Sequence, residues 1–210
     1  MMINDFYDDN HTNSISKLFL KNFSGKNNKA VFLDRDGVLI EDVHHIDSEN
    51  KVNLCDNVVT FLKKAKSSNY DIVVVTNQSA VSRSIISYEK YISITAKFLS
   101  LLPSDVYPDL ILASFHMPEN KNNLNNYNWR KPGIGMFEFA LNFGKYDSKN
   151  VIMVGDKISD LIPAEKCKIK KLFYIQSTLH KNELSKMEEW NKIKKIKINQ
   201  IHKLNEFILD

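Results

Sequence analysis

Asp34 and Asp36 are the residues whose type and spacing point most directly to chemistry. Asp34 ends an apolar run and Asp36 follows two positions later. An extended backbone therefore aims both carboxylates toward one side, and Gly37 permits a sharp departure of the chain. Two such acids left to themselves repel, and one stays protonated; a hard divalent cation with oxygen ligands holds both ionised. Asp156, at the end of another apolar run, offers a third oxygen ligand. This group suggests a magnesium site with positions left for phosphate and water. Thr76, Asn77, Lys131 and Lys157 bring hydroxyl, amide and ammonium donors from separate segments. Phosphoryl transfer needs that inventory, because the equatorial oxygens must be neutralised and little covalent help is required beyond an in-line nucleophile. No serine, histidine or cysteine triad assembles with comparable support, and the phosphate-cradling G-x-x-x-x-G-K-[ST] loop is absent from the sequence.

Short β-branched apolar runs at 30–34, 71–76, 110–114, 151–155 and 172–175 alternate with stretches of helical spacing at 57–68, 88–102, 136–143 and 158–166. This rhythm predicts an α/β fold, a doubly wound open parallel sheet covered on both faces. Such sheets bind ligands beyond the carboxyl ends of their strands. The polar groups there are Asp34-Arg35-Asp36-Gly37, Thr76-Asn77-Gln78-Ser79, Ser114-Phe115-His116 and Gly155-Asp156-Lys157, with Arg130-Lys131-Pro132-Gly133 leading into a helix. The domain is expected over 29–210. In the extension 1–28, Ile15, Leu18, Phe19 and Phe23 have helical spacing and predict a helix, packed on the domain or serving an oligomer contact. Toward the end, 183–190 reads as helix and 194–198 as an edge strand, with Asn199 capping a final helix through 208.

Composition narrows the partners. The chain has 210 residues and a net charge of +4, a mild surplus that suits an anionic substrate and makes nucleic acid an unlikely partner. All basic residues but Arg35, Arg83 and Arg130 are lysine, so planar bidentate forks are kept at three places beside the motifs. Two distant cysteines, Cys55 and Cys167, build no disulfide framework and read as inert, which fits a reducing cytoplasm. No apolar stretch is long enough to span a membrane, and no secretory signal is recognisable. A monomer or small homo-oligomer is expected.

The segments Asp34-Arg35-Asp36-Gly37-Val38, Thr76-Asn77-Gln78-Ser79, Arg130-Lys131-Pro132 and Gly155-Asp156-Lys157-Ile158-Ser159-Asp160 resemble the four ordered motifs of the haloacid dehalogenase superfamily, over residues 30 to about 176. The combination further resembles the D-glycero-D-manno-heptose 1,7-bisphosphate phosphatase group, related to histidinol phosphatases. The resemblance implies a Rossmann-like domain and assigns roles. Asp34 would attack phosphorus to form an aspartyl phosphate, and Asp36 would protonate the leaving oxygen and then activate water. Asp34, the backbone carbonyl of Asp36 and Asp156 would hold magnesium. Thr76 and Lys131 would steady the phosphoryl group, Arg130 would grip a second anionic or polar part of the substrate, and Lys157 would reach the site from the last motif. Asp42, Val43, His44 and His45, with Asn77, Gln78 and Ser79, match segments that touch the sugar phosphate. Arg83 would reach a second phosphate or pair with a surface carboxylate. Arg35 joins the substrate-binding set, although strand alternation points it away from the aspartates and toward a structural role. Asp160 would stand behind the metal ligands or satisfy a helix N-terminus.

Forty-two positions separate Asp34 from Thr76 and 55 separate Thr76 from Lys131, room for a flap, a helix and a strand but not for a separate cap domain. Loops, notably 41–51 and 115–130, or the substrate itself must then close the site. Relatives in that group carry a zinc staple of the form C-x-H and C-x-C, whose positions here are Ser114, His116, Tyr127 and Trp129. One histidine cannot hold structural zinc, so none is expected, and Met117, Leu124, Tyr127 and Trp129 are candidates to pin the loop by packing. Ala80 and Ser84 replace glycines, Ile40 replaces an asparagine, and His44-His45 replace a Gly-Tyr pair, all expected at the substrate rim. The resulting expectation is a magnesium-dependent phosphatase for a small sugar bisphosphate, foremost the heptose bisphosphate of bacterial surface polysaccharide. The alternatives are histidinol phosphate, a nucleic-acid 3′-phosphate, or a binding domain without catalysis.

Overall fold

The structure is a computed structural model that describes residues 6–8, 14–21, 23, 25, 27–43, 46–117, 129–176 and 179–206. Its centre is an eight-stranded sheet formed by β1 (Phe6–Asp8), β2 (Ile15–Leu20), β3 (Ala30–Leu33), β4 (Asp71–Asn77), β5 (Leu110–Ser114), β6 (Val151–Gly155), β7 (Lys171–Ile175) and β8 (Ile198–Ile201), ordered β1-β2-β5-β4-β3-β6-β7-β8. The six strands from β5 to β8 are parallel, whereas β1 and β2 are antiparallel additions at one edge.

Alternation along the parallel strands divides the core. Val31, Leu33, Ile72 and Val74 face one side, where Phe61 and Leu62 of α1 (Val58–Ser67) and Tyr91, Ile94 and Phe98 of α2 (Tyr88–Ser100) cover them. Ala30, Phe32, Val73 and Val75 face the other side, under Met136, Phe137 and Ala140 of α3 (Gly135–Gly144), Leu161 and Ala164 of α4 (Ile158–Lys166) and Met187 of α5 (Lys181–Lys194). Both faces are covered, so the central positions of β3, β4, β5 and β6 are apolar and buried, with polar residues at strand ends such as Asp71, Thr76 and Ser114. The chain works outward from β3 to β5, then crosses to β6 and works outward the other way. The order therefore reverses between β3 and β6, and their carboxyl ends border the crevice where such folds hold ligands.

Two expectations are corrected. Residues 15–20 form a strand, not a helix, paired with β5 in the register Ile15↔Ser114 to Phe19↔Leu110. The adjacent Leu18 and Phe19 are each buried, one on either face of the sheet, so a strand covered on both sides mimics the i, i+3, i+4 spacing of a helix. Near the end, α5 runs through Lys194 and turns at Lys195 in the left-handed region (φ 52°), and the last strand begins only at Ile198. Asn199 lies inside β8, donating to the Leu172 carbonyl at 3.3 Å, and caps nothing; the described chain ends in a short turn over Leu204–Glu206.

Past Leu33 the backbone folds into a tight loop in which Gly37 N–H donates to Ile40 O (2.7 Å), and Leu39 and Ile40 N–H donate to Arg35 O. Val38, Leu39 and Ile40 are all fully buried. Ile40 is thus a core residue bridged to Leu54 and not part of a substrate rim. Ser84 lies exposed in the left-handed region (φ 56°), the conformation for which a glycine would be the default. Among the residues expected to pin the 115–130 loop, Trp129 packs on Phe139 with ring centroids 5.5 Å apart. Met117 is 53% exposed and pins nothing, and Leu124 and Tyr127 lie outside the described residues. At the other staple positions, Ser114 is a buried β5 residue and His116 O accepts from Arg130.

Candidate active site

Asp34 continues the β3 ladder by one bond, its N–H donating to Val154 O at 3.1 Å, which sets its carboxylate beside the end of β6. The Lys131 ammonium, almost wholly buried, spends its three protons on Asp34 Oδ1 (2.9 Å), Asp160 Oδ1 (2.8 Å) and Val75 O (2.7 Å). Burial opposes its charge, yet the Asp160 and Asp34 carboxylates hold it above the usual lysine range. Asn77 fixes this lysine from β4. Its amide donates to Lys131 O and accepts from Lys131 N–H, each at 3.0 Å. Asn77, expected to touch substrate, is thereby also a clamp on the Lys131 backbone.

Asp156 is fully buried and neither of its carboxylate oxygens has a hydrogen-bond partner. The nearby Lys157 Nζ stands 3.5 Å from Oδ2. Burial, then the charges of Asp160 and Asp34, push the Asp156 carboxyl up to about 8. Burial likewise pushes Asp34 up to about 6 against the pull of Lys131. Asp34, Asp156 and Asp160 each bring an oxygen within 4.8 Å of the others. An orphaned buried carboxylate among two more is a donor set that fits a hard divalent cation, whose charge supplies what these acids lack. Asp160 also accepts from Lys157 N–H at 3.0 Å, capping α4, so it serves both the helix start and the Lys131 ammonium.

Gly37 makes this packing possible. Its φ is +93°, and a Cβ built there would sit 2.4 Å from Asp156 Oδ2. Gly37→Ala is expected to destabilise the fold by roughly 2 kcal/mol in urea denaturation, from left-handed strain plus the collision, and to displace Asp156. A midpoint equal to that of the wild type would contradict this.

Asp36 is held by Arg35 Nε (2.8 Å) and Nη2 (3.2 Å) and by Gln78 Nε2 (2.6 Å); Gln78 also donates to Thr76 Oγ1 at 3.0 Å. Three donors hold this carboxylate in one orientation at the cavity edge. Arg35 is a correction. It is buried and points at Asp36, neither away from the aspartates nor onto an open rim. Strand alternation ends at Leu33, so it does not govern residue 35.

A cavity of about 360 Å³ is edged by Asp34, Asp36, Thr76, Lys131, Arg130 and Lys157. Arg130 donates to His116 O at 3.0 Å; burial and the nearby charge of Arg83 hold its guanidinium below the usual range. Ser79 O accepts the Arg83 N–H at 3.0 Å, which ties that loop together. Asp42 accepts from Lys157 Nζ at 3.1 Å, and Val43 is 38% exposed beside it. His44 and His45 lie outside the described residues. Sequence reasoning missed His180, whose Nε2 lies 2.8 Å from Asp42 Oδ2.

Residues 29–168 match the polynucleotide kinase 3 phosphatase family. The chain is 36% identical over 145 residues to the D-glycero-beta-D-manno-heptose-1,7-bisphosphate 7-phosphatase of Haemophilus influenzae, covering 68% of this chain and 79% of that protein. It is 30% identical over 154 residues to the D-glycero-alpha-D-manno-heptose-1,7-bisphosphate 7-phosphatase of Photorhabdus laumondii, covering 71% and 83%. Among solved structures, the D,D-heptose 1,7-bisphosphate phosphatase of B. bronchiseptica, complexed with magnesium and phosphate, superposes with a TM-score of 0.67 at 20% identity, over 84% of this chain and 93% of that one. That likeness shows the fold, and no helix among the described residues is long and apolar enough to cross a membrane. By this match and by the acids gathered where β3 meets β6, the chain belongs to the polynucleotide kinase 3 phosphatase family.

Proposed function

We propose that this chain is a magnesium-dependent phosphatase acting on a sugar bisphosphate, foremost D-glycero-D-manno-heptose 1,7-bisphosphate, through an aspartyl phosphate on Asp34. The observation that carries the reading is the cavity with Asp34 and Lys131 on its wall and the orphaned Asp156 behind it. Lys131 and Arg35 N–H both hold Asp34 Oδ1, which leaves Oδ2 as the attacking atom. Oδ2 forms a bond to phosphorus as the bond to the leaving oxygen breaks, and Asp36 supplies that oxygen with its proton. Asp36 then takes a proton from water, whose oxygen attacks phosphorus and frees Asp34. Arg35 and Gln78 aim Asp36 for both steps. Lys131 and Lys157 offset charge on the phosphoryl oxygens, while Thr76 contributes a hydroxyl. Asp34, Asp156 and the Asp36 carbonyl would hold magnesium, which when bound would further neutralise the phosphoryl oxygens.

The names of the curated relatives and Arg130 on the cavity edge favour a substrate with a second anionic group. A second reading, a nucleic-acid 3′-phosphate, is favoured by the family match itself. Purified protein with magnesium, offered both anomers of the heptose bisphosphate, histidinol phosphate and a 3′-phosphorylated oligonucleotide, is expected to release phosphate fastest from a heptose bisphosphate. Fastest release from the oligonucleotide would replace the first reading with the second, and release from none would remove both.

Magnesium should also register in stability. Asp156 and Asp34 sit at about 8 and about 6 in the metal-free fold, against an ordinary 3.8. Raised values mean that the folded state holds protons the unfolded state has lost, so metal-free stability falls as pH rises from about 4 through 8. A cation replaces those protons. The rise in melting temperature on adding magnesium is therefore expected to be larger at pH 8 than at pH 5; an equal or opposite trend would count against the metal assignment.

A further inference from the structure

We propose that His180 is a positioning residue for the phosphoryl site, acting through Asp42 to aim the Lys157 ammonium; this rests on the phosphatase reading above. Lys157 is half-buried on the cavity wall, at the junction of β6 and α4. The long side chain of a lysine costs rotamer entropy to hold still, and only a fixed ammonium can be relied on to face an incoming phosphoryl group. Asp42, from the loop after β3, is the carboxylate that restrains it, through Oδ2 at 3.1 Å. The same oxygen lies 2.8 Å from His180 Nε2. A carboxylate engaged with an ammonium only accepts, so the imidazole must donate from Nε2. His180 thus fixes the rotamer of the acid that fixes the lysine.

A second contact from the same turn supports the assignment. Glu183, in the first turn of α5, accepts the Ile158 N–H at 2.9 Å, while its own N–H donates to His180 O at 2.9 Å. Residues 180–183 therefore hold Lys157 at two points: the backbone just after it, through Glu183, and its ammonium, through His180 and Asp42. Asp156 Oδ2 lies 3.5 Å from the same ammonium. Were Asp42 to swing outward without its imidazole partner, the ammonium would divide its time between the cavity and the departing acid. Nothing in the last motif marks this device, because it comes from a segment 138 positions away from Asp42.

Calorimetry with inorganic phosphate in magnesium buffer, run beside turnover assays and thermal melts, tests it. His180→Ala is expected to raise the phosphate Kd and lower kcat/KM by about 10-fold each, the scale of a misplaced charged group. His180→Gln, whose side-chain amide can still donate to Asp42, is expected to restore most of both. In an Asp42→Asn background, His180→Ala should add little further loss, since its route is already cut. A merely structural role would lower the melting temperature and leave Kd of the folded protein unchanged. Equal Kd in wild type and His180→Ala, an undiminished effect in the Asp42→Asn background, or failure of Gln to outperform Ala would each overturn the inference. Wild-type protein that binds phosphate with the expected His180 dependence yet turns over no ester would instead overturn the phosphatase reading alone.

Discussion

Asp34→Asn is expected to lower kcat on any accepted phosphate ester by at least about 10⁴-fold, the scale seen when a covalent nucleophile is removed. The amide keeps an oxygen for the Lys131 ammonium and for the Arg35 N–H, the two donors that Oδ1 now accepts, so the hydrogen bonds around it survive. What disappears is the anionic oxygen aimed at phosphorus and one negative charge among three carboxylates. Burial raises the Asp34 carboxyl to about 6, which says that ionising it inside the fold is already unfavourable without a cation. The metal-free variant should therefore unfold in urea at pH 8 at a midpoint no lower than that of the wild type. Magnesium should raise its melting temperature less, because one ligand has become neutral. Intact fold with lost turnover is the signature of a nucleophile. Turnover within 10-fold of wild type would exclude covalent attack from this position, and a large fall in stability would mean that Asp34 serves the fold more than the chemistry.

The parts of the fold that proved legible are those where a single physical demand governs the sequence. Strands covered on both faces must be apolar along their length, and the runs at 30–34, 71–76, 110–114 and 151–155 are legible for that reason, with their polar residues confined to the ends. Their polar ends could then be read as a rim, which the structure assembles around Asp34, Asp156 and Lys131. Where two demands compete, the reading failed. Leu18 and Phe19 satisfy both faces of a sheet, and adjacent apolar residues look helical when the neighbouring strand is not known. Arg35 lies two residues beyond the point where the strand stops, so alternation does not place it, and its guanidinium turns back to Asp36. Ile40 occupies a motif position tied by resemblance to the substrate, but its environment is the core. His180 has no local pattern at all, since it matters only through a partner far along the chain.

Lys131→Met should do the opposite of Asp34→Asn, damaging fold and chemistry together. The three acceptors now served by one ammonium, Asp34, Asp160 and Val75 O, would be left around a thioether that donates nothing. Removing one partner of a buried charge cluster leaves uncompensated charge in a medium that cannot solvate it, which costs about 3–5 kcal/mol. Asp160 keeps its bond from Lys157 N–H and Asp34 its bond from Arg35 N–H, so the loss is partial and the chain should still fold in the absence of denaturant. The remaining carboxylates would take up protons more readily, and the stability deficit should shrink as pH falls toward 5, where protonation removes the charge that Lys131 no longer balances. Turnover should fall by a factor of about 10² to 10³, the scale of deleting a preorganised positive charge beside the transferring phosphoryl group. Asp160→Asn separates the two effects. It leaves Lys131 facing Asp34 and Val75 O, so it should retain far more activity than Lys131→Met. Urea denaturation at pH 5 and pH 8, with turnover of each variant on the same ester, reads out every part. A Lys131→Met protein as stable as wild type at pH 8 would mean that the buried ammonium does not balance these acids.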